Sequence, residues 1–272
     1  MKLYIPFSYL LLTRIKTKHE RISWFIIYPA FLIIATLLFN GDLLNFMLTF
    51  CMTMSLYEIG YLDNDFRTVK KEKNPTVRAD EQRSWIEHNL QYLIGIRLLI
   101  ALLVVFYIIP SIDFIQKSIF IFLLCLLAFG FYFHNTLRSR WNVLTYFIVV
   151  LCRYLIPVVV AVKSEFYGYL IPFIIIAFPL VRTIEHACKE KYELRRIKLL
   201  VRNPDNFRVK WYAGITLLLL IFIVFYENEI VFRLVLLSVY FLLYRMMTFY
   251  FARSKNILRN KHSSYKWDEN EK

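Results

Sequence analysis

Apolar stretches of about twenty residues recur along this chain from one end to the other, and that recurrence restricts its fold more than any motif. Crossing the hydrocarbon core of a bilayer as a helix takes roughly 17–25 predominantly apolar residues. By that rule the chain has eight spans: Trp24–Phe39, Leu43–Tyr61, Tyr92–Ile112, Ser118–His134, Asn142–Val162, Phe166–Glu185, Trp211–Tyr226 and Ile230–Phe251. A hydrophobic content of 58% exceeds the roughly 45–50% of soluble domains. The expected fold is all-α: a polytopic helical bundle forming one transmembrane domain over residues 1–255, followed by a polar tail over 256–272. Aromatic residues at the span ends, among them Trp24, Tyr61, Tyr92, Trp141, Trp211 and Tyr226, fit interfacial belts.

The net charge of +14 lies between the spans. With the N-terminus placed inside, the outer loops are Asn40–Asp42, Pro110–Lys117, Lys163–Glu165 and Glu227–Glu229. Their only basic residues are Lys117 and Lys163. The inner segments hold nearly every other Lys and Arg, so both termini are expected in the cytoplasm. The charge then means orientation and contact with anionic lipid, not nucleic acid. The expected location is a multi-pass position in a membrane, a bacterial inner membrane. The first span follows a basic segment (Arg14, Lys16, Lys18, Arg21), lacks a small-residue cleavage site and reads as retained. Cys51, Cys125, Cys152 and Cys188 show no CxxC spacing and read as buried structural thiols. Two long inner loops remain, Leu62–Gln91 and His186–Lys210. The sequence EHACKEKYELRRIKLLVR at the second reads as a basic amphipathic helix on the membrane surface, ended by the turn Asn203-Pro204-Asp205.

Three polar clusters stand at span ends on the inner side. The first starts inside the second span and leaves it through Glu58, Asp63, Asn64 and Asp65, then runs into Arg67, Lys70, Lys71, Lys73 and Arg78. Carboxylates at the mouth of a membrane helix are costly and usually functional. Glu58, Tyr61 and Asp65 are three and four residues apart and share a helix face. Such oxygen donors suit Mg²⁺, which keeps waters and is completed by substrate phosphates, while the basic loop is able to neutralise a diphosphate. The second cluster is Arg138, Arg140 and Asn142, with Arg153 about 16 Å deeper along the fifth span. An arginine at that depth needs a polar cavity, an anion or an ion pair. The third is Arg182 and Glu185, spaced to pair with each other or to face the same chamber as Asp65. Together they imply one anion-binding chamber opening to the cytoplasm.

With these residues the chain resembles the UbiA superfamily of intramembrane transferases, whose first motif, NDxxDxxxD, follows the second span. NDFRTVKKE over residues 64–72 supplies Asn64, Asp65 and, at the last position, Glu72, with Thr68 in place of the middle Asp. KNPTVR, ending at Arg78, resembles the segment that follows the motif. The branch most resembled is that of the polyprenyl-phosphate phosphoribosyltransferases, similar to decaprenyl-phosphate phosphoribose synthase. The run from Leu137 through Arg138, Arg140 and Asn142 to Arg153 resembles its "LK…DV…LR" pattern, with Asn142 where Asp is expected. Arg182 and Glu185 resemble its "KRYxEL" motif. The resemblance implies 5-phosphoribose transfer from phosphoribosyl diphosphate to a polyprenyl phosphate, with Mg²⁺-assisted diphosphate release. Asn64 and Asp65 would be catalytic and, with Glu72, metal-binding. Glu58, Tyr61, Lys71, Arg78, Arg138, Arg140, Asn142, Arg153, Arg182 and Glu185 would contact substrate. Two alternatives stay open: a prenyltransferase using an allylic diphosphate, and a non-catalytic lipid-phosphate binder. Thr68 and Asn142, each replacing an expected carboxylate, weigh toward the latter.

Overall fold

Every long apolar run forms a helix. The computed structural model describes residues 2–69, 78–137, 139–225 and 228–254. Among these, eight helices are long and apolar enough to cross a membrane: Lys18–Leu38, Leu43–Thr68, Arg83–Ser111, Phe114–Thr136, Asn142–Ala161, Ser164–Ala187, Pro204–Phe225 and Glu229–Ser254. The chain is thus an all-helical, multi-pass membrane protein. Several helices begin well before their apolar run does. The third starts at Arg83 rather than Tyr92, where Arg83 and Glu87 pair at 3.4 Å one turn apart. Hydropathy reports only the apolar part of a helix, while its charged first turns are helical as well.

Three spans contain a widened π-turn: Ile26–Ala30, Asn64–Thr68 and Ile176–Leu180. Pro29 and Pro179 account for two, since proline lacks an N–H and its ring clashes with the preceding turn. The turn at Asn64–Thr68 holds no proline and contains Asp65, which fits the concentration of such turns at functional sites. A short helix, Ser8–Thr13, precedes the first span and went unread in the sequence. It is entered through Phe7 at φ 72°. The first span opens with a capping box in which Thr17 and Glu20 each bond the other's backbone N–H.

The chain divides into two compact units. One comprises Met1–Leu137 and Ile148–Glu165, the other Arg138–Phe147 and the chain from Phe166 onward. In the first, polar side chains clasp backbone carbonyls of neighbouring helices. Asn135 donates to the Gly60 carbonyl (3.1 Å) and to Asp63 (2.9 Å), Gln116 donates to the Val162 carbonyl (2.9 Å), and the Tyr57 hydroxyl donates to the Val149 carbonyl. Such bonds and small residues hold apolar helices together where the lipid is as apolar as they are. Gly60 is one of those small residues: a Cβ there would lie 2.3 Å from the Phe131 ring. Gly60→Ala is therefore expected to destabilise by about 1–3 kcal/mol through overpacking. Gly214→Ala, with nothing within 4 Å of the new carbon, is the matched control. Thermal melts in detergent compare the two, and equal midpoints would remove the packing argument.

In the second unit the seventh span docks on the π-turn of the sixth. Trp211 Nε1 donates to the Ile176 carbonyl (3.1 Å) and the Tyr212 hydroxyl to the Ala177 carbonyl (2.7 Å). The long amphipathic helix expected after His186 is broken. A single 3₁₀ turn spans Glu190–Tyr192, Glu193 takes a left-handed conformation (φ 54°), and helix resumes only over Arg195–Val201. Its apolar residues close a small core: Cys188 and Val201 pack with Ile184, Ile197 and Phe207. Burial there pushes the Cys188 thiol up to about 12. Cys152 is buried as expected, whereas Cys125 is exposed.

Candidate anion-binding site

The π-turn that ends the second span turns Asp65 inward, where it is 1% exposed. Four side chains donate to its carboxylate. Arg14 Nη2 reaches both oxygens (2.8 and 2.9 Å), Arg78 Nη1 reaches Oδ1 (3.1 Å), Asn64 Nδ2 reaches Oδ1 (3.1 Å), and the Tyr9 hydroxyl reaches Oδ2 (2.7 Å). Burial, reinforced by the charge of Asp65, raises the Tyr9 phenol well above its ordinary value, so it stays a donor. Burial lowers Arg78, and the Arg14 charge adds to this, while Asp65 acts the other way. Thr68 bonds the Asn64 side-chain oxygen (3.3 Å), which fixes the amide with its nitrogen toward Asp65. The residue at the motif's middle position thus orients Asn64 and adds no charge.

Glu58 shares a helix face with Asp65 in the sequence but serves a different partner. Its Oε2 pairs with Arg97 (2.8 Å), both residues being fully buried, and its Oε1 accepts from the Leu10 N–H (2.8 Å). Arg97 in turn donates to the carbonyls of Leu3 and Leu93, each at 3.0 Å. This ion pair grips the N-terminal segment at two points, Leu3 and Leu10. The segment so held presents Tyr9 and Arg14 to Asp65. Tyr61 lies under Arg14, its ring centre 4.7 Å from the guanidinium carbon. Sequence reasoning found Asn64, Asp65, Tyr61 and Arg78. It treated Arg14 only as part of a basic leader and missed Tyr9. Lys71, Glu72 and Arg138 lie outside the described residues.

Two guanidiniums therefore share one carboxylate. Arg14 and Arg78 keep 19% and 29% of their side-chain surface exposed, against 1% for Asp65, so the outer face of the cluster is cationic. Comparison with protein-family models, curated proteins and solved structures finds no match. The chemistry must be read from the residues themselves. Magnesium would need oxygen donors in a near-octahedral set, commonly one or two carboxylates plus phosphates. Among the described residues no three His, Cys, Asp or Glu side chains converge on a metal position. The Asp65 oxygens already face two arginines, and Glu58 is committed to Arg97. These residues do not by themselves fit a Mg²⁺ ion; they fit an anion.

Arg153, expected deep in the fifth span, is there without a carboxylate. Its guanidinium sits over the rings of Tyr28 (4.2 Å), Tyr57 (5.2 Å) and Trp24 (5.9 Å), and its Nε has no acceptor. Such stacking offsets part of the cost of a buried cation. Trp24 also lines an apolar groove of about 310 Å³ with Phe7, Leu11, Phe25, Met47 and Phe50.

The remaining candidates belong to the second unit. Arg140 pairs with Glu193 at the surface (3.1 Å), a contact worth little. Asn142 accepts from the Tyr192 hydroxyl (2.6 Å), which also contacts His186 Nε2 (2.8 Å), and His186 stacks on Tyr146 with ring centres 3.8 Å apart. That network organises the start of the fifth span. Glu185 is held by Arg182 (2.8 Å), as the spacing suggested, and also by Arg208, which the sequence did not single out.

Proposed function

We propose that this chain is an integral-membrane transferase that moves 5-phosphoribose from phosphoribosyl diphosphate to a polyprenyl phosphate, at a site facing the cytoplasm. The observation carrying this reading is the pair of half-exposed arginines, Arg14 and Arg78, fixed on buried Asp65. In the reaction the donor C1–O bond breaks and a phosphate oxygen of the lipid forms the new bond to C1. Negative charge grows on the departing diphosphate. Guanidiniums held in place before the reaction stabilise such charge without reorganising. Asp65, Tyr9 and Asn64 position the two arginines. In the sequence, Lys70, Lys71 and Lys73 lie between Asp65 and Arg78. The groove beside Trp24 suits an isoprenoid chain, and the unpaired Nε of Arg153 near Trp24 suits its phosphate.

A second reading, a non-catalytic lipid-phosphate binder, is favoured by the fully occupied oxygens of Asp65. Purified protein given phosphoribosyl diphosphate and polyprenyl phosphate separates the two by diphosphate release. Turnover is expected, falling about 100-fold in Arg78→Ala and in Asp65→Ala, the loss typical of one electrostatic contact to developing charge. Release unchanged in Asp65→Ala would sink the transferase reading. Binding of the lipid phosphate without release from this donor or an allylic diphosphate would establish the second. Release from the allylic donor alone would make the chain a prenyltransferase. Loss of turnover in EDTA would give a metal a place that the described residues alone do not provide.

A further inference from the structure

Three arginines converge around Glu185, and only two of them are paired with it. Arg182 and Glu185 end the sixth span, Arg208 begins the seventh, and Arg245 lies in the last third of the eighth. Glu185 is 1% exposed and its carboxylate is filled: Oε1 by Arg208 Nε, and Oε2 by Arg208 Nη2 and Arg182 Nη1, each at 2.8 Å. Arg245 is 7% exposed, so it is as removed from solvent as the pair beside it. Its Nε finds no acceptor, and among the described residues no carboxylate is paired with it. The seventh and eighth spans pack side by side, with Tyr212 stacked on Phe241 (4.9 Å), and Arg208 and Arg245 each lie one turn from that contact. The Tyr244 ring, 5.1 Å from the Arg245 guanidinium carbon, is its one stacked neighbour.

Glu185 and Asp205, the latter 3.5 Å from Arg208 Nη1, both serve the neighbouring arginines, while the buried Nε of Arg245 is left without a partner. Arginines inside membrane helices pair, reach water or mark an anion pathway. Among the described residues Arg245 forms no ion pair, and its Nε is closed off from solvent. The guanidinium is a planar fork suited to the oxygens of a phosphate. We propose that Arg245, with Arg208 and Arg182 beside it, binds a phosphate group. Its residues belong to the second unit and those of the Asp65 cluster to the first, and the proposal stands whether or not the transferase reading does. The phosphate has two possible sources, the head group of an anionic membrane lipid and a free phosphate or diphosphate.

Thermal melts of the full chain in a phosphate-free detergent distinguish them, because a ligand that binds only the folded state raises the midpoint. Phosphatidic acid, inorganic phosphate and diphosphate are titrated separately. At least one is expected to raise the wild-type midpoint. A response to phosphatidic acid alone assigns a lipid head group, and a response to the inorganic anions assigns a free phosphate. Arg245→Met is expected to melt higher than wild type without ligand, since it removes an unpaired buried charge, and to lose the response. Arg245→Lys keeps the charge but loses the fork, and its half-saturating concentration should rise about tenfold; it serves as the test if the methionine variant does not fold. Repeating the titrations in an Arg78→Ala background weakens the Asp65 cluster's own anion binding, and the response that remains should again be lost when Arg245→Met is added. No shift with any of the three probes would overturn the proposal. So would a full response in Arg245→Met or Arg245→Lys, or a response abolished by Arg78→Ala.

Discussion

Arg97→Met is expected to destabilise the protein by about 3–5 kcal/mol, although Arg97 lies far from any exposed surface. The substitution leaves Glu58 fully buried without its counter-charge, with the Leu10 N–H still donating to it. Breaking a buried pair from one side is costly for that reason, whereas replacing both partners with neutral side chains is often close to neutral. The double variant Glu58→Gln/Arg97→Met should therefore recover most of the loss. The loss has a functional side. Leu3 and Leu10 are the anchors of the segment that carries Tyr9 and Arg14, so the single variant should also free Arg14 from Asp65. Melting midpoints of the two variants in detergent decide the point. A double variant no more stable than Arg97→Met would show that the pair itself is not the source of the stability.

Glu185→Gln should be equally severe, about 3–5 kcal/mol, because it removes the buried carboxylate that both Arg182 and Arg208 hold. Arg208 is 5% exposed and would lose its closest carboxylate, keeping a longer contact to Asp205 (3.5 Å). By contrast, Arg182→Ala should cost about 1 kcal/mol or less, since Arg182 keeps 37% of its side-chain surface exposed. The order of the two is the test: if Arg182→Ala melts at or below Glu185→Gln, the carboxylate is not holding the cluster together.

The eight spans were legible because a length rule needs only the local run of apolar residues. Asn64 and Asp65 were legible because polar side chains at the end of such a run stand out. Arg182 and Glu185 are one turn apart, so their pairing could be read from spacing alone. The partners that complete each cluster were not legible. Arg14 is 51 positions from Asp65, Arg97 is 39 from Glu58, and Arg208 is 23 from Glu185. Hydropathy and charge counts report how polar a helix end is but not the direction in which each side chain points. Arg14 therefore passed as an orientation signal. Asn142 read as a substitute for a motif aspartate, yet its oxygen is taken up by Tyr192, 50 residues later. Two of the three π-turns contain a proline, a sequence marker that went unread. The third, the one that turns Asp65 inward, has no such marker.

The grip of Glu58 and Arg97 on the N-terminal segment also sets an order of events during synthesis. Tyr9 and Arg14 are made first, but what holds them arrives only with the second and third spans. At translation rates of about 5–20 residues per second, roughly 4–17 s separate Arg14 from Arg97. Until then the first residues have no fixed place, and Asp65, once made, lacks the arginine that will neutralise it. The segment that carries Tyr9 and Arg14 is thus made before the residues that fix it at the site, and a chain interrupted before the third span would carry the carboxylate without the clamp that supplies its cation.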